Sequence, residues 1–323
     1  VRGLDASNGQ SLWEYRPDKP VWNFMASFPR DGTVVFQDME GKAYRLHLKT
    51  GTLIWKVGGN PGTWTDGTLS LGPDNVVYAV ATRDWQGQGH KFSKGDLWAY
   101  RLSDGQLLWR NEIQRVPNVA PAIGKLYKQD KFSVVQAAGQ QVLKGGDTYV
   151  YAYDAETGKL QWTFDGPLQQ GDLQAGDAEG FQLRESYLGR GLCLPNPWGA
   201  PVIDAAGTVY IGNQEGPLYA LRDTNGDGTV EGPDEVSRFD TYAAFAGSAG
   251  PSLAPGMVAV ASCDSLFVFK EPKDRPKAEP KAEPKAQPKA EPEAVPKTLP
   301  EADLRAVPKA ETKGKSKGKK TSG

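Results

Sequence analysis

A phrase repeats along this chain: a short apolar strand, a tight turn closed by glycine, and a tryptophan four residues after that glycine. It stands at Gly9/Trp13, Gly51/Trp55, Gly105/Trp109 and Gly158/Trp162, with successive tryptophans 42, 54 and 53 residues apart. A repeat of about 40–50 residues is the length of one propeller blade, a unit that cannot bury both of its faces alone and must stack on its neighbours. Upstream of the phrase, β-branched and aromatic runs bounded by turn residues recur at Asp31 to Phe36, Pro73 to Tyr78, Lys131 to Val135, Ala206 to Ile211 and Gly256 to Val260. Each unit therefore reads as four short strands joined by hairpins, and no helix-period stripe of useful length precedes residue 270.

The fold expected is all-β: a β-propeller of four-stranded antiparallel blades over residues 1–270, followed by a disordered tail over 271–323. Units fall at about 21–57, 63–111, 119–164 and 198–240, with a last one at about 244–270 that ends after its third strand. Residues 1–15 read as the end of a blade whose earlier strands are absent, so 5–6 blades are visible. Two closures are open: the strand around Leu12, Trp13 and Glu14 completes the last unit, or the chain is a fragment of a ring of 7–8 blades. Opening on Val1 inside a repeat, the chain reads as a fragment whose targeting segment would precede it.

Two long insertions, Arg83 to Gly95 and Asp165 to Pro197, are candidate binding loops, although surface loops also tolerate extra length cheaply. Beside them stand Trp85 and Trp198, the tryptophans off the repeat that best suit a ligand or partner surface. After Lys270 proline recurs every fourth residue from Pro272 to Pro300, a composition that cannot bury apolar surface and stays extended. The tail 271–323 holds 14 Lys/Arg against 9 Asp/Glu, so the chain's net charge of −1 leaves the propeller at −6. An acidic β domain argues against nucleic acid as its partner, while the basic tail suits acidic surfaces. Cys193 and Cys263 are far apart, with a disulfide between blades and two buried thiols both open. No apolar run reaches the ~18 residues of a membrane span.

The fifth copy of the phrase breaks. After Leu218-Tyr-Ala-Leu-Arg222 its turn is replaced by Asp223-Thr-Asn-Gly-Asp-Gly-Thr-Val-Glu231. Asp223, Asn225 and Asp227 take alternate positions of an EF-hand-type calcium loop, Gly228 the sharp turn, and Thr229 the place whose backbone carbonyl ligates. Glu231 and Asp234 follow at the ninth and twelfth places, and Glu235 is one place late. A hard dication needs several such oxygens converging; an acidic glycine turn that holds no metal is the plainer alternative. A structural calcium is expected, because no helix pair flanks the loop to act as a sensor.

Signals for catalysis are weak. The two histidines are His47 in a repeat strand and His90 in a glycine-rich insertion, and a lone histidine more commonly packs or faces water. No nucleophile elbow, zinc motif or phosphate-binding loop occurs; Gly314-Lys-Ser316 lies in the tail without a strand before it or a helix after it.

The run Tyr151-Ala-Tyr-Asp-Ala-Glu-Thr-Gly-Lys-Leu-Gln-Trp162 resembles the tryptophan-docking repeat of the pyrroloquinoline-quinone (PQQ) type propellers. Leu46 to Trp55, Leu102 to Trp109 and Leu4 to Trp13 are looser copies, and Gly212 to Leu221 resembles the family's penultimate hairpin. The resemblance covers about residues 1–270. It implies an extracytoplasmic setting, secreted or periplasmic, and two functional classes. One is the quinoprotein alcohol dehydrogenases, which use PQQ and calcium; the other is cofactor-free scaffolds such as BamB. The dehydrogenases carry adjacent cysteines on the quinone, whereas Cys193 and Cys263 are isolated, so no catalytic residue carries over. The expectation is a non-catalytic binding or scaffold propeller stabilised by a calcium loop. A PQQ- and calcium-dependent oxidoreductase is the alternative.

Overall fold

Strands form where β-branched and aromatic residues run between glycine turns, and hairpins add them to antiparallel sheets in chain order. The computed structural model describes residues 1–22, 25–65, 69–83, 94–140, 145–169, 197–241, 245, 250–262 and 265–271. Chain contacts divide the protein into Val1–Pro272 and Lys273–Gly323. The sequence's tail, beyond Glu271, lies outside the described residues.

The first sheet is the pair β1 (Arg2–Leu4) and β2 (Ser11–Glu14). The second holds β3 (Thr33–Gln37), β4 (Lys42–His47) and β5 (Leu53–Gly58), and Ser27 bridges Val35 beside it. Next come β6 (Ser70–Leu71), β7 (Val76–Arg83), β8 (Lys94–Arg101) and β9 (Leu107–Gln114). The following blade is β10 (Ala122–Lys125), β11 (Phe132–Gly139), β12 (Thr148–Asp154) and β13 (Leu160–Asp165). The fifth sheet is β14 (Val202–Ile203), β15 (Val209–Gly212), β16 (Pro217–Leu221) and β17 (Val236–Asp240). The last is β18 (Ser252–Ala254), β19 (Met257–Ala261) and β20 (Leu266–Lys270). The architecture is the expected all-β propeller of four-stranded antiparallel blades, and among the described residues the last sheet holds three strands.

The first closure is not what the chain adopts. Among the described residues β2 pairs with β1 alone and β20 with β19 alone. Glu14 and Trp13 pair with Arg2 and Gly3 across the first hairpin, and the Trp13 indole donates to the Leu48 carbonyl.

Period-two alternation places the core. In β7, Val77, Ala79 and Ala81 face the β3–β5 sheet, while Tyr78 and Val80 face the β10–β13 sheet. In β11, Val134 and Ala138 face back, and Val135 and Ala137 face forward. Five apolar clusters result, one per junction between successive sheets. A blade buried on both faces carries near-continuous apolar strands, which is why β3 is buried at every position.

The phrase has one geometry in all four complete copies. The amide of Gly9, Gly51, Gly105 or Gly158 donates to the carbonyl four residues earlier, at 2.7–2.8 Å, and the glycine sits at φ 68–74°. Each hairpin shifts register beside this turn, a bulge that needs a left-handed residue and therefore glycine. Three of the four tryptophans then reach the turn of the next blade. Trp13 Nε1 donates to the Leu48 carbonyl (2.9 Å), Trp55 to Leu102 (2.8 Å) and Trp109 to Ala155 (3.0 Å). Each acceptor lies three residues before the glycine, against which the indole rests.

Candidate functional site

The broken fifth copy closes a different junction. Between β16 and β17 the hairpin is held at its mouth by the Arg222 amide on the Glu235 carbonyl (3.0 Å), and residues 223–234 make the loop. Its first half coils through side-chain oxygens. Asp223 Oδ1 accepts the Gly226 amide (2.6 Å), Asn225 Oδ1 the Asp227 amide (2.8 Å), and Asp227 Oδ1 the Thr229 amide (2.8 Å). Asn225 Nδ2 donates to Asp227 Oδ2 at 2.9 Å. Gly228 at φ 87° lets the chain reverse without a Cβ penalty.

Beyond that reversal the loop docks on β13 through its backbone. The Thr163 amide donates to the Gly228 carbonyl (3.0 Å), the Val230 amide to the Thr163 carbonyl (2.8 Å), and Thr163 and Thr229 form a parallel bridge. Val230, 2% exposed, enters the cluster that holds Trp162. A loop thus stands where Trp13, Trp55 and Trp109 each find a glycine turn. The bridge uses the Gly228 carbonyl rather than that of Thr229, the one the sequence pattern assigns to a cation.

The six expected ligands are only partly brought together. Asp223, Asn225 and Asp227 share one turn, Thr229 follows it, and Glu231 and Asp234 are exposed. Among the described residues no three His, Cys, Asp or Glu side chains converge as a metal-binding group. The donor chemistry of the first half suits a hard dication, all oxygen on a coiled loop. The second half is organised around Glu235 instead, a residue the ligand spacing passed over. Glu235 is 5% exposed, and its Oε1 accepts the Thr224 amide (2.7 Å), the Asn225 amide (3.1 Å) and the Thr224 hydroxyl (3.0 Å). Its Oε2 accepts the Glu231 amide (3.2 Å). Burial opposes ionisation, but the amides of Thr224, Glu231 and Asn225 and the Thr224 hydroxyl outweigh it and hold the carboxyl below its ordinary range. Its place across the hairpin mouth from Arg222 was the available signal for this role.

The other candidates separate. Trp198 does not offer an exposed surface: at 1% exposure it packs against Phe164 and Tyr219, with centroids 6.3 and 5.8 Å away. The bridge from Trp198 to Asn213 pins it to the fifth sheet and turns the ring inward. His47 is exposed at the end of β4. Trp85, His90, Cys193 and Cys263 lie outside the described residues.

The family model described as outer membrane protein assembly factor BamB matches residues 1–227, which spans the first four sheets and β14 to β16 of the fifth and ends inside the loop. The chain belongs to the BamB family of PQQ-like propellers. BamB from Moraxella catarrhalis superposes with a TM-score of 0.53 at 18% identity, covering 85% of this chain and 64% of that one. At that identity the likeness concerns the fold, and this chain spans less than two thirds of that BamB's length. Quinohemoprotein alcohol dehydrogenases are also similar. That of Comamonas testosteroni has a TM-score of 0.48 and 12% identity over 80% of this chain and 48% of its own. One of Pseudomonas putida HK5 has 0.46 and 17% over 74% and 39%. No curated protein matches the chain. Membership fixes the propeller and leaves the chemistry to the site.

Proposed function

We propose that this chain is a non-catalytic, protein-binding propeller of the extracytoplasmic space, with a structural calcium in the loop that closes its fourth sheet onto its fifth. The observation that carries the reading is the loop's position: its oxygen-rich half is continuous with the backbone bridge to Thr163 and the buried Val230. A cation there stiffens a blade junction and touches no reacting group. Asp223, Asn225, Asp227, the Thr229 carbonyl, Glu231 and Asp234 are the proposed ligands. Membership of a family described as an outer membrane protein assembly factor supports a protein partner and an envelope location.

Calorimetric titration with calcium tests the loop. Wild type should bind one equivalent and the Asp223→Ala/Asp227→Ala double variant none; equal, negligible binding by both sinks the calcium reading. Bound at a hundred times its dissociation constant, calcium should stabilise wild type by about 2.7 kcal/mol. The non-catalytic reading is tested separately by adding PQQ with calcium and measuring alcohol:dye reductase activity. Turnover with a red-shifted absorbance would move the chain to the oxidoreductase class. Chemical crosslinking of the tagged full-length chain in envelope fractions, with or without calcium, tests the partner.

A further inference from the structure

Among the described residues, six of the ten buried polar side-chain atoms without a hydrogen-bond partner belong to five residues at one seam. They are Gln140 Nε2, both amide atoms of Gln169, Trp198 Nε1, Asn213 Nδ2 and Gln214 Oε1. All five side chains are between 0% and 5% exposed. The seam lies between the β10–β13 and β14–β17 sheets, at the end of β16 opposite the loop. Backbone contacts stitch its parts together. Trp198 bridges Asn213, and the Gln214 amide donates to the Pro197 carbonyl at 2.9 Å. On the facing sheet the Gln140 amide donates to Asp147 (3.0 Å), and the Gln169 amide to Gly146 (2.9 Å). The two sides touch: a Cβ on Gly139 would lie 2.6 Å from Pro197 Cγ, and one on Gly166 would run into the Trp198 ring.

Buried amides and indole N–H groups are nearly always satisfied, because each one left unpaired carries a desolvation penalty. Their concentration at one seam calls for a polar guest, and none of the five side chains is charged, so a neutral guest fits. Amides offer donors and acceptors together, which suits a group that does both.

We propose that this seam binds neutral hydroxyl groups, supplied by a chain of internal waters or by a small polyol, and that they bridge the fourth and fifth sheets. Buried waters typically make about three such bonds each. The inference stands apart from the calcium and partner readings, since it uses none of the loop's residues.

The test uses the full-length protein. Gln169→Met keeps the side chain's length and deletes both unpaired atoms. If they hold the guest, the melting temperature should fall by about 2–4 °C. An unchanged or raised melting temperature overturns the proposal, because removing an amide that pairs with nothing relieves its desolvation. A wild-type crystal grown without polyols supplies the second measurement, which survives a variant that fails to fold. Density within hydrogen-bond distance of Gln169 and Trp198 supports the proposal, and a dry seam overturns it. With density present, native mass spectrometry separates the sources: a bound adduct identifies a small polyol, and its absence identifies water.

Discussion

The junction between the β6–β9 and β10–β13 sheets and the junction that follows it solve one packing problem in two ways. At the first, the Trp109 indole rests on the Gly158 turn and donates to Ala155, a contact made by one rigid side chain and one fixed turn. At the second, Trp162 is more deeply buried, at 1% exposure, yet meets Val230 of a long loop that is itself held by a backbone bridge and by Glu235. The indole contact costs little order beyond the turn. The loop contact requires many residues to be fixed, at about 1–2 kcal/mol of backbone entropy each, and local hydrogen bonds must offset that. The first junction should therefore be insensitive to solution conditions, and the second should depend on whatever orders the loop.

The largest expected effect removes an indole from a regular junction. Trp55→Ala should destabilise by about 3–5 kcal/mol through lost burial, a cavity and the lost bond to Leu102. Denaturant unfolding should give the same loss with calcium and with chelator. A loss that varies with calcium would erase the distinction between the junctions.

Next is the turn that receives an indole. Gly158→Ala forces a Cβ into φ 71° and to 2.8 Å from Trp109 Cδ2, for an expected cost of about 2–3 kcal/mol. The same substitution at Gly226, also at positive φ (78°) but with open space around it, should cost only the backbone strain. Equal costs would mean that the indole contact adds nothing to the turn.

The division between what the sequence shows and what it hides follows from range. The Gly–Trp offset is local, so the bulged turn, the blade boundaries and the packing role of Trp55, Trp109 and Trp162 could all be read from it. The loop's departure from the phrase was equally visible, and so were Asp223, Asn225 and Asp227. Glu235 was not, because its partners, the amides of Thr224, Asn225 and Glu231, depend on how the loop folds back and not on ligand spacing. Trp198 misled for a related reason. Its neighbour in sequence is a long insertion, but its neighbours in space are Phe164 and Tyr219.

Val230→Ala probes the loop junction directly and should cost about 1–2 kcal/mol of lost burial. Unlike Trp55→Ala, the penalty should shrink in chelator, where the loop is already less ordered and the Val230 methyl groups contribute less to stability. Hydrogen exchange at the Thr163 and Val230 amides should quicken on chelation while that of Gly105 stays constant. A uniform change across these amides would mean that calcium acts on the whole blade stack and not on this junction.

The smallest effect is one of pH, and its sign follows from Glu235. The amides of the folded loop hold its carboxyl below the ordinary value of 4.5. The folded state therefore binds fewer protons than the unfolded chain as the pH approaches 4.5 from above. The resulting stability is fully present above 4.5 and is lost as the pH falls through the depressed folded value. Melting temperatures between pH 6 and pH 3 should drop more steeply for wild type than for Glu235→Gln, which stays neutral throughout. The two curves should converge at the acid end, where both carry an uncharged group facing the same amides. Parallel curves would show that the Glu235 charge does not order the loop, and the case for a conditional junction would then rest on calcium alone.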